Sequence, residues 1–433
     1  MRICYVGGNV VDWTAKLDKS ELARMADLSD ENKKKGVFVP KEDIILKLVG
    51  GTVMYLTLKA GRENRFEKNI TDDSIWTLSD KIEGVTETKS LNCIPRPGGG
   101  PTNNYYAAAT LEQSFGSVIS LELLVSELNR FVRDTLDGEL DRSNRSYNWI
   151  RKTDGDAINI SLRSNGDRVA YTSREKPFEE SEIGDLRLKL DRFLRFERND
   201  LLVVNSVKDK SYLEGILDRY DESAKSGNQP HLVAAVTNSM LAERKNGLDV
   251  CRLVNSAEIY VSNQEEFFEF TKSEMFTNRG SASQLTSRDF YRGMLKILEG
   301  SEGGSSKRRV YVTRGKEGVY MLDSDGILYW QKVSSFSSSK PEGEEMVDQN
   351  GAGDTFTGVM TLLEARGGYN SLEILDYAHA AAQLCIRREG ANEAGLITRE
   401  SIRAFREDHE ESIRKYDLSK DKFESLLTIK CNL

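Results

Sequence analysis

Histidine is scarce in this 433-residue chain: His231, His379 and His409 are the only three, and no two stand in an HxxxH or HExxH spacing. That leaves no histidine-built metal centre. Cysteine is sparse and irregular. Cys4, Cys93, Cys251, Cys385 and Cys431 form an odd, scattered set without a CxxC pair. They offer no zinc site and fit a reducing compartment, the cytoplasm. Cys431 stands third from the end, the wrong place for a CaaX prenylation box. No apolar run approaches the roughly 20 residues of a membrane span. The opening residues Arg2-Ile3-Cys4-Tyr5-Val6 read as a buried strand rather than a secretion signal. A GxSxG elbow is missing, and so is a GxxxxGK loop followed by Ser or Thr; the stretch from Gly300 to Lys307 has the wrong spacing. The net charge of −8 argues against a nucleic-acid surface. Arg308-Arg309 and Lys33-Lys34-Lys35 read as solvated turns.

What is present has the balance of an ordinary globular protein, 38% hydrophobic and 30% charged. The length allows one large α/β domain with insertions or two domains. Strand patterns recur at 2–6, 117–121, 157–162, 201–205, 232–236, 259–261, 310–313 and 319–322. Amphipathic helical patterns fall at 208–226, 238–248, 289–299, 353–365 and 371–388. Strand alternating with helix predicts a mostly parallel sheet covered on both faces, with ligands at the carboxyl ends of its strands. Residues 398–433 read as a charged helical segment packed outside that core. Two regions break the alternation. Residues 18–96 are long and mixed, with strand candidates at 44–48 and 52–58. Residues 159–173 alternate around Asn165-Gly166-Asp167 and predict a hairpin. Both are assigned to a smaller sheet over the active face.

The most informative stretch is Val347-Asp348-Gln349-Asn350-Gly351-Ala352-Gly353-Asp354-Thr355-Phe356, where small residues precede an acid and an apolar helical pattern begins. Glycines let backbone N–H groups converge on one spot, and a helix N-terminus adds about half a positive charge there. An anion held by Gly351, Ala352 and Gly353 would lie beside Asp354, a carboxylate able to take a proton from a hydroxyl. Those are the parts that phosphoryl transfer needs. A glycine-rich turn capping an ordinary helix is the plainer alternative.

Taken with this stretch, four further motifs and the single residue Asp12 resemble the ribokinase or PfkB carbohydrate kinase family, which also contains adenosine and other nucleoside kinases. The resemblance runs from residue 2 to about 396 and is weakest over 18–96. Gly98-Gly99-Gly100-Pro101-Thr102-Asn103 is similar to the family's paired glycines and asparagine, which hold the acceptor's hydroxyls. Asp12, after Val6-Gly7-Gly8, matches its early aspartate at the end of the first strand. Asn263-Gln264-Glu265-Glu266 resembles its NxxE motif, in which Asn263 and Glu266 would organise Mg²⁺ through water; as residues alone they also suit an acidic helix start. Thr313-Arg314-Gly315-Lys316-Glu317-Gly318 resembles the turn under the nucleotide phosphates, and is equally a hairpin turn. Ala378 to Ala391 resembles the late helix, which would place His379 in the nucleotide pocket. By the same resemblance Asp348, Asn350, Cys385, Arg388 and Gly390 would surround a monovalent cation, K⁺.

The resemblance implies a single domain over 1–433 with a three-layer α/β/α ribokinase-like fold, a mostly parallel central sheet and a small β-sheet lid. It implies ATP and Mg²⁺ as cofactors, Asp354 as general base, and a small sugar as acceptor. A nucleoside acceptor and a binding or regulatory family member are the alternatives. It allows a homodimer through the lid. Gln349 stands where the family commonly has threonine, and Gly100-Pro101 replace the usual residues after the paired glycines. Asn350 and Ile386-Arg387-Arg388 resemble adenosine kinases, while 378–382 resembles ribokinases. These departures bear on the acceptor rather than on the chemistry.

Overall fold

The computed structural model describes residues 1–8, 10–16, 26–27, 37–41, 44–50, 52–58, 64–65, 69–70, 76–79, 90–116, 118–127, 145–151, 158–164, 167–172, 177–275, 285–299, 309–333, 351–387, 397–408 and 414–416. Its largest sheet has ten strands. In spatial order they are β12 (Arg145–Arg151), β11 (Ser120–Glu127), β1 (Arg2–Gly7), β15 (Leu201–Asn205), β16 (His231–Ala235), β17 (Ile259–Asn263), β18 (Arg309–Thr313), β19 (Val319–Leu322), β20 (Leu328–Gln331) and β21 (Arg414–Tyr416). The first seven run parallel and the last three are added antiparallel.

The parallel strands are short apolar runs buried on both faces, as Leu201–Asn205 illustrates. Successive side chains point to opposite faces, so one strand feeds two cores. Ile3 and Tyr5 join one cluster, with α1 (Gly100–Ser114), α8 (Ala352–Arg366), α9 (Ser371–Cys385) and α10 (Arg399–Asp408). Cys4 and Val6 join the other, with α2 (Ile183–Phe193), α3 (Lys210–Lys225), α4 (Asn238–Glu243), α5 (Val250–Ser256), α6 (Gln264–Met275) and α7 (Ser287–Glu299). The result is the three-layer α/β/α arrangement with a mostly parallel centre that the sequence predicts.

A second sheet of eight strands runs β8 (Asn69–Ile70), β14 (Asp167–Thr172), β13 (Ile158–Ser164), β2 (Val10–Lys16), β10 (Ser90–Gly98), β5 (Ile44–Gly50), β6 (Thr52–Leu58) and β9 (Trp76–Ser79). A three-stranded piece joins β3 (Ala26–Asp27), β4 (Val37–Pro40) and β7 (Asn64–Arg65). The chain leaves the main sheet at the end of β1, enters the second sheet as β2, and returns from β10 directly into α1. The two sheets are therefore stitched together at Gly7–Val10 and Gly98–Gly100. Among the described residues no helix is long and apolar enough to cross a membrane.

Three sequence expectations are corrected. The strand read at 117–121 lies at Ser120–Glu127. Its acids break the apolar pattern, and Glu122 is accommodated because Arg2, on the adjacent strand, donates to it at 3.1 Å. Asp12 does not close the first strand but lies inside β2 of the second sheet. The carboxyl-terminal segment is not uniformly helical: after α10 the chain adds β21 to the open edge of the main sheet. A strand of three residues held only by pairing leaves no periodicity to read.

Candidate active site

The order of the main sheet reverses around β1. The chain runs outward to β11 and β12 on one side, then resumes at β15 and proceeds the other way. Such a switch point opens a crevice at the carboxyl ends of the strands. Those ends carry Gly7 opposite Asn205, and Asn263 opposite Thr313. The amino ends of α1 and α8 meet at the same place.

Asp354 sits in the first turn of α8, behind Gly351 at the N-cap with φ of 76°. That left-handed conformation strains any residue with a Cβ. Ala352 and Gly353 begin the helix, so their N–H groups have no partner within it. A Cβ placed on Gly353 meets nothing within 4 Å. The half-buried Asp354 carboxylate is held by amides. Asn103 Nδ2 donates to Oδ2 at 2.9 Å, and Asn205 Nδ2 donates to Oδ1 at 3.4 Å. Asn104 is tied to the same residue. With its amide turned to face its neighbours correctly, it donates to the Gly100 carbonyl at 2.9 Å and the Asp354 carbonyl at 3.1 Å.

On the acceptor side, Gly98 is the last residue of β10, Gly99 caps α1 with φ of 90°, and Asn103 lies in the first turn of α1. The pairing of β10 with β2 sets Gly98 opposite Val10 and Arg96 opposite Asp12. Asp12, Gly98, Gly99, Asn103 and Asp354 are therefore gathered at one seam. Close packing fixes it: a Cβ on Gly358 of α8 would fall 2.3 Å from the Asn104 carbonyl of α1.

Asn263 and Glu266 form a reciprocal cap on α6. Asn263 Oδ1 accepts from the N–H groups of Glu265 and Glu266, both at 2.9 Å, and Glu266 Oε2 accepts from the N–H of Asn263 at 2.9 Å. Glu266 Oε1 also accepts from Asn238 N–H at 3.1 Å. Both lone pairs of the Asn263 oxygen are thus engaged by backbone. Glu266 is different. Burial pushes its carboxyl up to about 7, the two backbone donors oppose that, and the charges of Asp354 and Glu265 add to it. Two carboxylates that repel one another in a partly desolvated cleft suit a hard divalent cation, whose charge would relieve both. Both lone pairs of the Asn263 oxygen are taken up by the cap, whereas each Glu266 oxygen accepts one backbone N–H, so of the two it is Glu266 whose chemistry fits Mg²⁺.

The Thr313–Gly318 turn joins β18 to β19 through one 3₁₀ turn, Gly315–Glu317. Gly318 has φ of 97°, and a Cβ there would lie 1.9 Å from the Gln331 carbonyl, so no other residue fits. Arg314 is clamped under the turn. It pairs with Glu317 at 2.6 Å, donates to Gln264 Oε1 at 3.4 Å, and lies 4.4 Å over the ring of Phe290. The turn is thereby linked to the start of α6. His379 is buried in α9. One turn earlier Asp376 accepts from Gln331 Nε2 at 2.8 Å, so α9 is anchored at the strand that abuts Gly318.

Most of the residues expected around a monovalent cation fall beyond what the structure describes. Asp348, Asn350, Arg388 and Gly390 lie outside the described residues, and Cys385 is a buried thiol closing α9. Among the described residues no group of three or more His, Cys, Asp or Glu is arranged to hold a metal. The sequence reading missed Asn104 and Asn205. A signal existed for Asn205: a polar residue ends the apolar run Leu201 to Val204 at the carboxyl end of a central strand.

Comparison with known proteins bears on the family and the fold. The family described as pfkB family carbohydrate kinase matches residues 164–399. A comparison with curated proteins finds no match. Among solved structures, adenosine kinase from Anopheles gambiae in complex with a diadenosine tetraphosphate aligns over 90% of this chain and 96% of its own, with 14% identity and a TM-score of 0.54. Phosphofructokinase-2 from Escherichia coli in complex with fructose-6-phosphate aligns over 94% and 99%, with 14% identity and a TM-score of 0.53. Ribokinase from Arabidopsis thaliana complexed with ribose and ATP aligns over 93% and 98%, with 13% identity and a TM-score of 0.51. The chain belongs to the pfkB carbohydrate kinase family and is a phosphotransferase with a hydroxyl group as acceptor.

Proposed function

We propose that this protein transfers the γ-phosphoryl group of ATP to the hydroxymethyl group of a small sugar. The observation that carries the reading is the Asp354 carboxylate, held by Asn103 at the amino end of α8 and facing the seam where β2 and β10 enter. The acceptor's hydroxyl oxygen bonds to the γ-phosphorus as the bond to the bridging oxygen of ADP breaks, and the hydroxyl proton passes to Asp354. The first N–H groups of α8 supply fixed positive dipoles for the charge on the transferred group. Mg²⁺ bound near Glu266 would neutralise charge on the phosphates. Asp12, Gly98, Gly99 and Asn103 orient the acceptor; Thr313, Gly315, Gly318 and His379 border the nucleotide. The eight-stranded sheet lies on the acceptor side and acts as the lid that excludes water. The matched family is described as carbohydrate kinases, which supports a sugar acceptor, while the nucleoside kinases within the same family keep a nucleoside as the alternative.

The test combines an acceptor panel with one substitution. Phosphorylation of ribose, fructose, fructose 6-phosphate and adenosine is measured with ATP and Mg²⁺, and a sugar is expected to turn over fastest. Adenosine exceeding every sugar would sink the sugar reading. Asp354→Ala is expected to lower turnover of the best acceptor by about 10²- to 10⁴-fold, the usual loss with a general base. Near-normal turnover would remove Asp354 from that role.

A further inference from the structure

We propose that Asn205 is a positioning residue for this phosphoryl transfer, closing with Asn103 and Asn104 an amide cage that aims the Asp354 carboxylate. The proposal rests on Asp354 being the base. Four observations carry it.

First, Asn205 is 2% exposed, and its Nδ2 approaches Asp354 Oδ1 at 3.4 Å and Asn104 Oδ1 at 3.0 Å. An amide nitrogen has two hydrogens, so one group serves both acceptors. Second, the other end of the amide is fixed as well, because Ser206 Oγ donates to Asn205 Oδ1 at 2.8 Å. Ser206 adopts φ of 55°, a left-handed conformation uncommon for a residue with a side chain, and strain of this kind collects at functional sites. Third, two glycines vacate the space that Asn205 uses. A Cβ on Gly7 would fall 1.6 Å from the Asn205 carbonyl, and one on Gly100 would fall 2.2 Å from its Oδ1. Fourth, Asn205 ends β15 at the switch point, whereas Asn103 and Asn104 come from α1. The carboxylate is thus held from two independent elements, and its plane is set by their packing rather than by its own helix.

Neutral donors suit this task. A lysine or arginine in the same place would neutralise the carboxylate and weaken it as a base. An amide fixes its direction and leaves the negative charge in place. The 3.4 Å separation exceeds the usual 2.9–3.0 Å of a good N–H···O bond, which makes Asn205 the weaker of the two amide donors to the carboxylate beside Asn103 at 2.9 Å.

The experiment measures kcat, KM for ATP and for the best acceptor of the panel, and the pH profile of kcat in Asn205→Ala, Asn205→Asp and Asp354→Ala. Loss of one hydrogen bond to a charged group corresponds to a fall in kcat of about 10- to 100-fold, with both KM values staying within about threefold. The acid limb of kcat should move to higher pH in Asn205→Ala, which loses a donor to the carboxylate. It should move further in Asn205→Asp, which adds a like charge. Glu266 also faces Asp354 but is common to both variants. An unmoved acid limb in folded variants, or failure of both to fold, would assign Asn205 to the fold alone and overturn the proposal. Asp354→Ala separates the two readings: if it stays active, the base assignment itself is wrong.

Discussion

Two glycines five positions apart in α8 should respond oppositely to the same change. Alanine is favoured over glycine in a helix by about 0.5–1 kcal/mol, so local propensity alone predicts that both Gly353→Ala and Gly358→Ala stabilise the protein. Packing decides otherwise at Gly358. Its added Cβ would lie 2.3 Å from the Asn104 carbonyl oxygen and 3.1 Å from the Asn104 Cα. These are backbone atoms of α1, so no rotamer change relieves the contact. The helices must part by about 1 Å to restore an ordinary separation of roughly 3.5 Å. Overpacking of this kind typically costs about 1–3 kcal/mol, which outweighs the propensity gain over most of that range and leaves a net loss of up to about 2.5 kcal/mol. The same movement pulls Asn103 from Asp354, stretching a 2.9 Å bond beyond hydrogen-bonding range, so turnover should fall with stability. At Gly353 the added methyl meets nothing within 4 Å. Stability should hold or rise slightly there, while phosphoryl transfer falls because the methyl covers the amides proposed to receive the γ-phosphate. Urea unfolding midpoints and kcat for both variants provide the check. A Gly358→Ala protein more stable than the parent would refute the argument that α1 and α8 meet backbone to backbone.

Two further outcomes follow from groups at the carboxyl and amino ends of the sheet. Glu266→Gln removes the charge and keeps one oxygen to accept from the Asn263 N–H that caps α6, giving up the bond from Asn238 N–H. The Mg²⁺ concentration needed for half-maximal turnover should rise about 10-fold or more, as for loss of an outer-shell metal partner, and an unchanged requirement would place the metal elsewhere. His231, at the start of β16, lies with Nδ1 2.6 Å from Glu258 Oε2, and that hydrogen bond raises its pKa. A raised value means that the folded protein holds the proton more tightly. The stabilisation is therefore complete below the ordinary histidine value of roughly 6.5 and fades as pH climbs through the folded value. His231→Gln should lower the urea midpoint near pH 5.5 and leave it unchanged near pH 9. The difference should stay below about 1 kcal/mol, since the ring is 45% exposed and solvent screens the pair. Equal destabilisation at both pH values would show that packing, not charge, makes the contribution.

Some of this molecule was legible because its signals are local. The apolar runs at Leu201–Asn205 and Val319–Leu322 become strands where the pattern places them, and the Gly351–Asp354 segment opens α8 as its composition demands. Elements held by distant partners left no such trace. β10 contains Pro95 and Pro97, which argue against a strand, yet it pairs with β2 on one side and β5 on the other. β12 reads Arg-Ser-Tyr-Asn-Trp-Ile-Arg, where only Tyr147 and Trp149 alternate on one core-packed face between charged ends, and it pairs along the edge that β11 offers. Asp12 was recognised by its resemblance but assigned to the first strand, since nothing local shows that the chain changes sheets after Gly7. The same distinction separates the site's residues. Glu266 and Asn263 are three apart and cap one helix, so their spacing betrays them. Asn205 and Asp354 are 149 positions apart, and a lone asparagine after four apolar residues looks like any strand end. Its role comes from topology: the sheet reverses direction beside β1, and only that reversal brings the end of β15 to the start of α8. A site assembled at a switch point draws its acid from a local motif and the groups that aim it from wherever neighbouring strands finish.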